Sequence, residues 1–411
     1  MENVSSRDRA ILREIANRKL ELVHSAENER ILAQWKAQAA GRRESPIIRL
    51  LFCNMGDEVI APRMRCEGET ARRIEWSLLD SMAGRELFGD DTPLSPTFEV
   101  GLSTGAYPFR IYPKQFTRPG YKGYHIEPQS DDLERDFELF TGGSYTIDRK
   151  GTDAWCAAAD ELIGDILPSR VVMYNLCPSF TNPLVRIIGM ETYYLSMYDC
   201  PDTLHRIMED ACRLFENWFD ALEQQGALLP TNGISPISQE SFAFTDELPA
   251  DHAEKTTDVW GFLEAQETAA VSKEMFGEFI FPYYDRMVRR FGLLSYGCCE
   301  GVDTLWEDYL SKWKNLRKLS VSPFNDMYRV GEYLRGSRVV FYSKPRAEHL
   351  TMEGPLDEDV ITKYFGEVAK AASGCMLEVA QREAGTIFHD PQRGRRYVQL
   401  AREAIEKNWK P

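Results

Sequence analysis

Two thiols and a carboxylate close a short apolar run between Phe291 and Gly301. Leu293 and Leu294 lead through Ser295, Tyr296 and Gly297 into Cys298, Cys299 and Glu300. The run predicts a buried strand whose C-terminal end opens into a functional loop. Adjacent cysteines are poorly placed to bond each other, and on a strand they point to opposite faces, so one of the pair enters a site and the other packs. A lone buried cysteine is ordinarily a small hydrophobe. Here Tyr296, Cys298 and Glu300 alternate onto one face, which argues for a site.

Other polar residues stand where further strands are expected to end: Asn54 and Asp57, Asn175, Glu264 and Glu267, Ser322 and Asp326, Lys344 and Arg346, and His389. Thiolate, carboxylate and imidazole together match the preferences of zinc, whose catalytic form uses three protein ligands and keeps a fourth position open. The competing reading is a polar mouth that binds an organic ligand without metal. Glu264 and Glu267 form an acid/base pair, or, being three apart, the first turn of a helix. His389, beside Asp390 and Pro391, reads equally as a ligand or as a turn residue.

The elements that must position these residues alternate along the chain. Ser6 to about Ala40 is rich in helix formers and forms an N-terminal helical extension over residues 1–45, ended by Ser45 and Pro46. The apolar run 47–53 predicts the first strand. Residues 68–87 predict a helix with Ile74, Leu78, Leu79 and Met82 on its inner stripe. Between 97 and 150 short strand-like pieces sit among Pro and Gly, and long irregular loops are expected there. Strands at 170–175, 258–267, within 291–301, and at 316–322, 337–343 and 375–379 alternate with helices at 152–166, 201–225, 272–290, 302–313, 327–334, 357–372 and 392–407. At least six strand–helix pairs without a Gly-x-Gly-x-x-Gly turn predict an α/β protein of the (β/α)8 barrel type over residues 46–411. Chemistry in such a barrel sits at the strand ends.

Composition bounds the surroundings. The 411 residues are 43% hydrophobic, as in an ordinary globular chain. No window approaches the ~18 uninterrupted apolar residues of a membrane span, and the first residues lack a signal-peptide core, so a cytoplasmic protein with no membrane partner is expected. Nine cysteines without an export signal predict reduced thiols. The net charge of −15, from 64 acids and 49 bases, argues against nucleic acid as a partner. A homodimer is compatible with these data.

Several segments carry a family resemblance that runs from about Arg7 to Trp409. Asn182-Pro183-Leu184 through Gly189-Met190-Glu191 to Tyr198-Asp199-Cys200-Pro201, and Ser272-Lys273-Glu274-Met275-Phe276 with Phe281-Pro282-Tyr283, look like parts of the uroporphyrinogen decarboxylase superfamily. Tyr296-Gly297-Cys298-Cys299 occupies the place of the metal-binding His-x-Cys-Gly of its corrinoid-linked methyltransferases, with Tyr296 standing where the histidine should be. The resemblance implies an enzyme that demethylates a small O-, N- or S-methyl compound and transfers the methyl group to a corrinoid protein, with zinc held by Cys298, Glu264 and His389 (or Cys375). Glu264, Glu267, Tyr296 and Lys344 would then be catalytic, and Asn54, Asn175, Ser322 and Arg346 would bind substrate. The alternative within the superfamily is a decarboxylase of a porphyrinogen-like or other polycarboxylate substrate. Its Arg-Gln-Ala-Gly-Arg signature is absent, and Arg63 with Arg65 is the nearest basic pair. A barrel that only binds a tetrapyrrole or other ligand is the third reading.

Overall fold

A computed structural model describes residues 4–52, 54–117 and 123–411. Cys53, the last residue of the first apolar run, lies outside the described residues. Six parallel strands form the central sheet: β1 (Ile47–Leu50), β4 (Trp260–Leu263), β5 (Leu293–Tyr296), β6 (Leu316–Val321), β7 (Val340–Ser343) and β8 (Met376–Gln381), in the order β1-β8-β7-β6-β5-β4. Two more parallel strands, β2 (Phe98–Gly101) and β3 (Ser169–Val172), pair with each other. A parallel bridge from Leu176 to Gly261 joins the end of β3 to β4. On the open side of β1 the partner strand's role falls to two aspartates: the Ile48 N–H donates to Asp91 at 2.9 Å and the Leu50 N–H to Asp90 at 3.1 Å. Every residue of β1, β4, β5, β7 and β8 is buried, as expected of parallel strands covered on both faces.

The N-terminal helical region is two helices, Ser6–Val23 and Ala26–Ala39, because Ser25 accepts from the Asn28 N–H and caps the second. Ile11, Leu12, Ile15 and Ala16 enter the main core, and Trp35 packs on Phe242 and Phe244. The region 97–150 is more regular than expected. Ser103–Tyr107 pairs with Ser144–Asp148, and Lys114–Thr117 with Tyr124–Glu127, both antiparallel. The helix expected over 302–313 is replaced by turns and a short 3-10 segment at Leu310–Lys312, and the Val302 N–H donates to the Asn325 side chain at 2.7 Å. The stretch 272–290 divides into Lys273–Phe279 and Phe281–Val288, where Pro282 cannot continue the ladder. Among the described residues, no helix is long and apolar enough to cross a membrane.

The concave side of the sheet holds a segment of chain. From Ser238 to Glu247 the backbone runs past strand after strand. The Glu240 carbonyl accepts from Arg49 of β1, the Gln239 carbonyl from Tyr342 of β7, and Ile237 and Ala243 pack on Trp260 of β4 and Leu293 of β5. Ser241, fully buried, donates to Glu378 of β8 at 2.7 Å and accepts from Lys318 of β6 at 2.5 Å, while Lys318 and Glu378 pair at 2.7 Å. Below them Glu247 pairs with Arg317 at 2.7 Å.

One helix contact gives a direct stability test. Gly331, in helix Met327–Leu334, lies against the backbone of Ala371, and a Cβ there would collide with the Ala371 carbonyl oxygen. Gly331→Ala should destabilise the fold by about 1–3 kcal/mol through overpacking, although alanine is the better helix former. Thermal unfolding reads this out, and an unchanged or raised melting temperature would contradict the packing.

Candidate functional site

The polar residues at the ends of β4, β5 and β7 meet. β5 ends at Tyr296 because Gly297 has φ 99°, a left-handed conformation that breaks the alternation of side chains. Tyr296 therefore does not share a face with Cys298 and Glu300. Its ring packs edge-on against Trp313, 5.2 Å between centroids, and its buried hydroxyl has no hydrogen-bond partner among the described residues. Past Gly297 the chain curls into a tight loop. Both oxygens of buried Glu300 accept backbone N–H groups, from Cys298 at 2.7 Å and Ala265 at 2.8 Å, so this carboxylate ties the ends of β4 and β5 together.

The two cysteine sulfurs lie 3.7 Å apart. Cys298 is buried and keeps its proton: the hydrogen bond to its neighbour and burial both push its thiol up. The Cys299 thiol is lowered to about 7, first by the Cys298 hydrogen bond, which stabilises the thiolate, and also by Lys344, against burial. Lys344 sits buried beside them, donating to the Cys298 carbonyl at 3.2 Å and to Gln239 at 2.5 Å. Burial lowers its ammonium pKa, partly offset by Cys298. Ser320 and Ser322 donate to the Cys298 and Cys299 carbonyls at 2.8 and 2.9 Å. Ser322 thus holds the thiol loop in place rather than facing a substrate.

Glu264 follows β4, and its carboxyl accepts from the Gln266 N–H at 3.0 Å. Burial, then Glu267 and Glu300, push its pKa well above the ordinary carboxyl range. Glu267 is engaged otherwise, accepting from Thr181 at 2.9 Å and Asn182 at 2.6 Å, which secures helix Thr181–Asp199 to this strand end. Asn175 accepts the Ser238 N–H at 2.6 Å and anchors the start of the inner segment. Asn54 is exposed in the turn after β1, and Arg346 is exposed beside Glu348 at 4.0 Å. Arg63 and Arg65, the nearest basic pair for a polycarboxylate, are ion-paired with Glu86 and Glu14.

Zinc would find Glu264 and Cys298 on adjoining strand ends, but His389 does not join them. It lies exposed in a left-handed turn, its backbone N–H donating to Glu58 at 3.1 Å. Cys375 is buried with its thiol on the Gly331 carbonyl. Among the described residues no three His, Cys, Asp or Glu groups converge on a metal-sized point. The expected three-donor set is therefore not assembled.

Sequence reading missed Gln239, Arg382 and Cys177. Gln239 accepts from both Lys344 and Arg382, and Arg382 pairs with Glu240 at 2.8 Å. Gln239 and Glu240 both have positive φ, 66° and 57°, a strained pair held in place at the mouth. Nothing in a loop sequence marks such residues. Arg382 had a signal, the polar end of an apolar run, but β8 extends two residues beyond the expected Val379. Cys177 lies near Glu264, and burial, with that carboxylate, pushes its thiol up to about 12.

Parallel strands alternating with helices, with polar groups gathered at the strand ends, define an α/β protein of the class whose chemistry sits at the C-terminal ends of its strands. No protein-family model matches the sequence, and no curated protein matches it. Among solved structures, a methyltransferase from Methanosarcina mazei is similar over 92% of this chain and 98% of its own, with a TM-score of 0.51 and 12% identity. At that identity the likeness shows a shared fold.

Proposed function

We propose that the protein is a cytoplasmic methyltransferase that demethylates a small O-, N- or S-methyl compound and passes the methyl group to a corrinoid carried by a partner protein. Its scaffold on this reading is a (β/α)8 barrel with an N-terminal helical extension, supported by the inner segment that touches strands from β1 to β8. The observation that carries the function is a carboxyl of raised pKa, Glu264, and a thiol of lowered pKa, Cys299, placed on adjoining strand ends. The similar fold of a methyltransferase supports it.

When a methyl group leaves an oxygen, nitrogen or sulfur without its bonding electrons, the pair stays on the heteroatom. That atom becomes more basic and needs a proton. Burial, then Glu267 and Glu300, push the Glu264 pKa well above the ordinary carboxyl range, which favours the protonated form that a general acid needs. Its proton goes to the heteroatom as the carbon–heteroatom bond breaks. The corrinoid supplies the nucleophile that takes the methyl group. Lys344 keeps the Cys299 thiolate and the Cys298 carbonyl in register at the mouth.

Glu264→Gln should lower methyl transfer to Co(I) corrinoid by about 10²–10⁴-fold, the usual worth of a positioned general acid, and should abolish the decline in rate at high pH. A rate and pH profile like wild type would remove Glu264 from the mechanism. Absence of transfer from a panel of methyl ethers, methylamines and methyl thioethers would overturn the proposed function. Elemental analysis of wild type and Cys298→Ala addresses zinc: about one zinc per chain, lost in the variant, would show that a third donor completes the set.

A further inference from the structure

A cavity of about 470 Å³ opens between β1, β2 and β3. Its volume falls within the range of small-molecule sites. None of Glu264, Cys298, Cys299 and Lys344 lines it, so it is a site apart from the thiol loop. Two aromatic rings from different walls show open faces to it. Trp76, on helix Glu69–Ala83, is 39% exposed, and Tyr174, just past β3, is 53% exposed. Each ring is seated on a glycine. A Cβ on Gly56 would stand 2.8 Å from the six-membered ring of Trp76, and one on Gly101 of β2 would stand 2.5 Å from the Tyr174 ring. A larger residue at either position would displace the ring, so both platforms are in place before a ligand arrives.

Charge on the walls is balanced. Lys19 and Arg49 stand against Asp80 and Glu99, while Glu240 is paired with Arg382 at 2.8 Å. A ligand of either sign would upset that balance, and an uncharged one leaves it intact. Hydrogen bonding is less complete. Lys19 donates to the Thr97 carbonyl at 3.0 Å, and Arg49 to Thr92 at 3.2 Å and to the Glu240 carbonyl. The carboxylate of Asp80, one turn after Trp76, has neither a hydrogen bond nor an ion pair among the described residues, and one oxygen of Glu99 is buried without a hydrogen-bond partner. Burial, then Glu99 and Asp80, push the Tyr174 phenol up, which places both carboxyls near its ring. Open acceptors beside open ring faces call for a flat ligand that donates.

We infer that this cavity binds an uncharged planar heterocycle with an N–H beside an NH2 group on its edge, the pattern that guanine carries. The ring stacks on Trp76 and Tyr174, whose π faces suit any flat base. The two parallel donors meet the two open oxygens of Asp80, since an ionised carboxylate accepts on both. Asp80 is pushed up to about 6 by burial and then by Glu240, with Arg49 opposing, and is ionised at pH 7.5. A sugar would donate to the same oxygens, but its puckered ring cannot lie flat on faces from two walls. The inference does not rest on the methyl-transfer reading and stands or falls apart from it.

Calorimetry on the full chain at pH 7.5 tests this with guanosine and inosine, which differ only in the NH2 group. Guanosine should bind at least about tenfold more tightly, because inosine leaves one Asp80 oxygen unpaired. Asp80→Asn offers one acceptor in place of two and should bring the two probes to within about threefold of each other. Trp76→Leu should weaken both by about tenfold while keeping the ratio between them, since stacking does not read the edge. Both variants should melt like wild type. Equal binding of the two nucleosides to wild type, or no binding of guanosine, overturns the assignment. A preference for guanosine that survives Asp80→Asn does the same, as does binding of methyl glucoside without guanosine, which would make the ligand a sugar.

Discussion

Replacing Glu378 by alanine should cost the protein about 3–5 kcal/mol of stability, the usual result of stripping one partner from a buried ion pair. Glu378 and Lys318 are buried 2.7 Å apart on β8 and β6, and Ser241 closes the triangle by donating to one and accepting from the other. The Lys318 ammonium also lies 5.2 Å from the centre of the Trp35 ring. Without Glu378 the ammonium would stay charged in a site from which water is excluded, or give up its proton and leave Ser241 half satisfied; both are costly. Urea unfolding followed by tryptophan fluorescence should show the midpoint moving down. The triple replacement Lys318→Met, Glu378→Leu and Ser241→Ala removes all three polar partners together and should recover most of the loss. If Glu378→Ala unfolds like wild type, the inner segment is not held by this triangle.

The second large effect concerns thiol reactivity. With a pKa of about 7, Cys299 in the wild type is half thiolate at neutral pH and should react quickly with iodoacetamide. Cys298→Ala removes the hydrogen bond that contributes most to the lowering, and Lys344→Met removes the nearby positive charge; burial, which opposes both, remains. In Cys298→Ala the thiol should titrate at or above its ordinary value of about 8.5, so that alkylation at pH 7 slows by at least tenfold, roughly a decade per pKa unit, and Lys344→Met should slow it in the same direction by less. Mass spectrometry after timed alkylation assigns the modified residue. A wild-type profile in both variants would mean that neither neighbour sets the reactivity of Cys299.

Much of the scaffold is legible because it rests on local pattern. The stripe Ile74, Leu78, Leu79 and Met82 has the helical period, and all four are buried in helix Glu69–Ala83. The strand expected over 316–322 is observed at Leu316–Val321, and Leu293–Tyr296 is a strand inside the stretch 291–301. The helix expected over 302–313 does not form: turns stand in its place, and Val302 is tied to Asn325, twenty-three positions away, a contact that no helical period reports.

Apolar runs of strand length lead into Cys298, Cys299, Glu300, Glu264 and Lys344, and that local pattern is enough to place them at strand ends. Tertiary structure alone decided what each does there. Glu300 spends both oxygens on the backbone, Glu267 is taken by Thr181 and Asn182, and Asn175 and Ser322 are fasteners for loops. His389 lies exposed in a left-handed turn, its backbone N–H tied to Glu58, and it joins no group of three metal-ligating side chains among the described residues. The segment through Gln239, Glu240 and Ser241 reaches Lys344, Arg382, Lys318 and Glu378 across separations of 77 to 143 residues. Periodicity records which face a residue takes within its own element. Which charges then meet is set by how distant elements pack, and that determines the proton on Glu264 and the low pKa of Cys299.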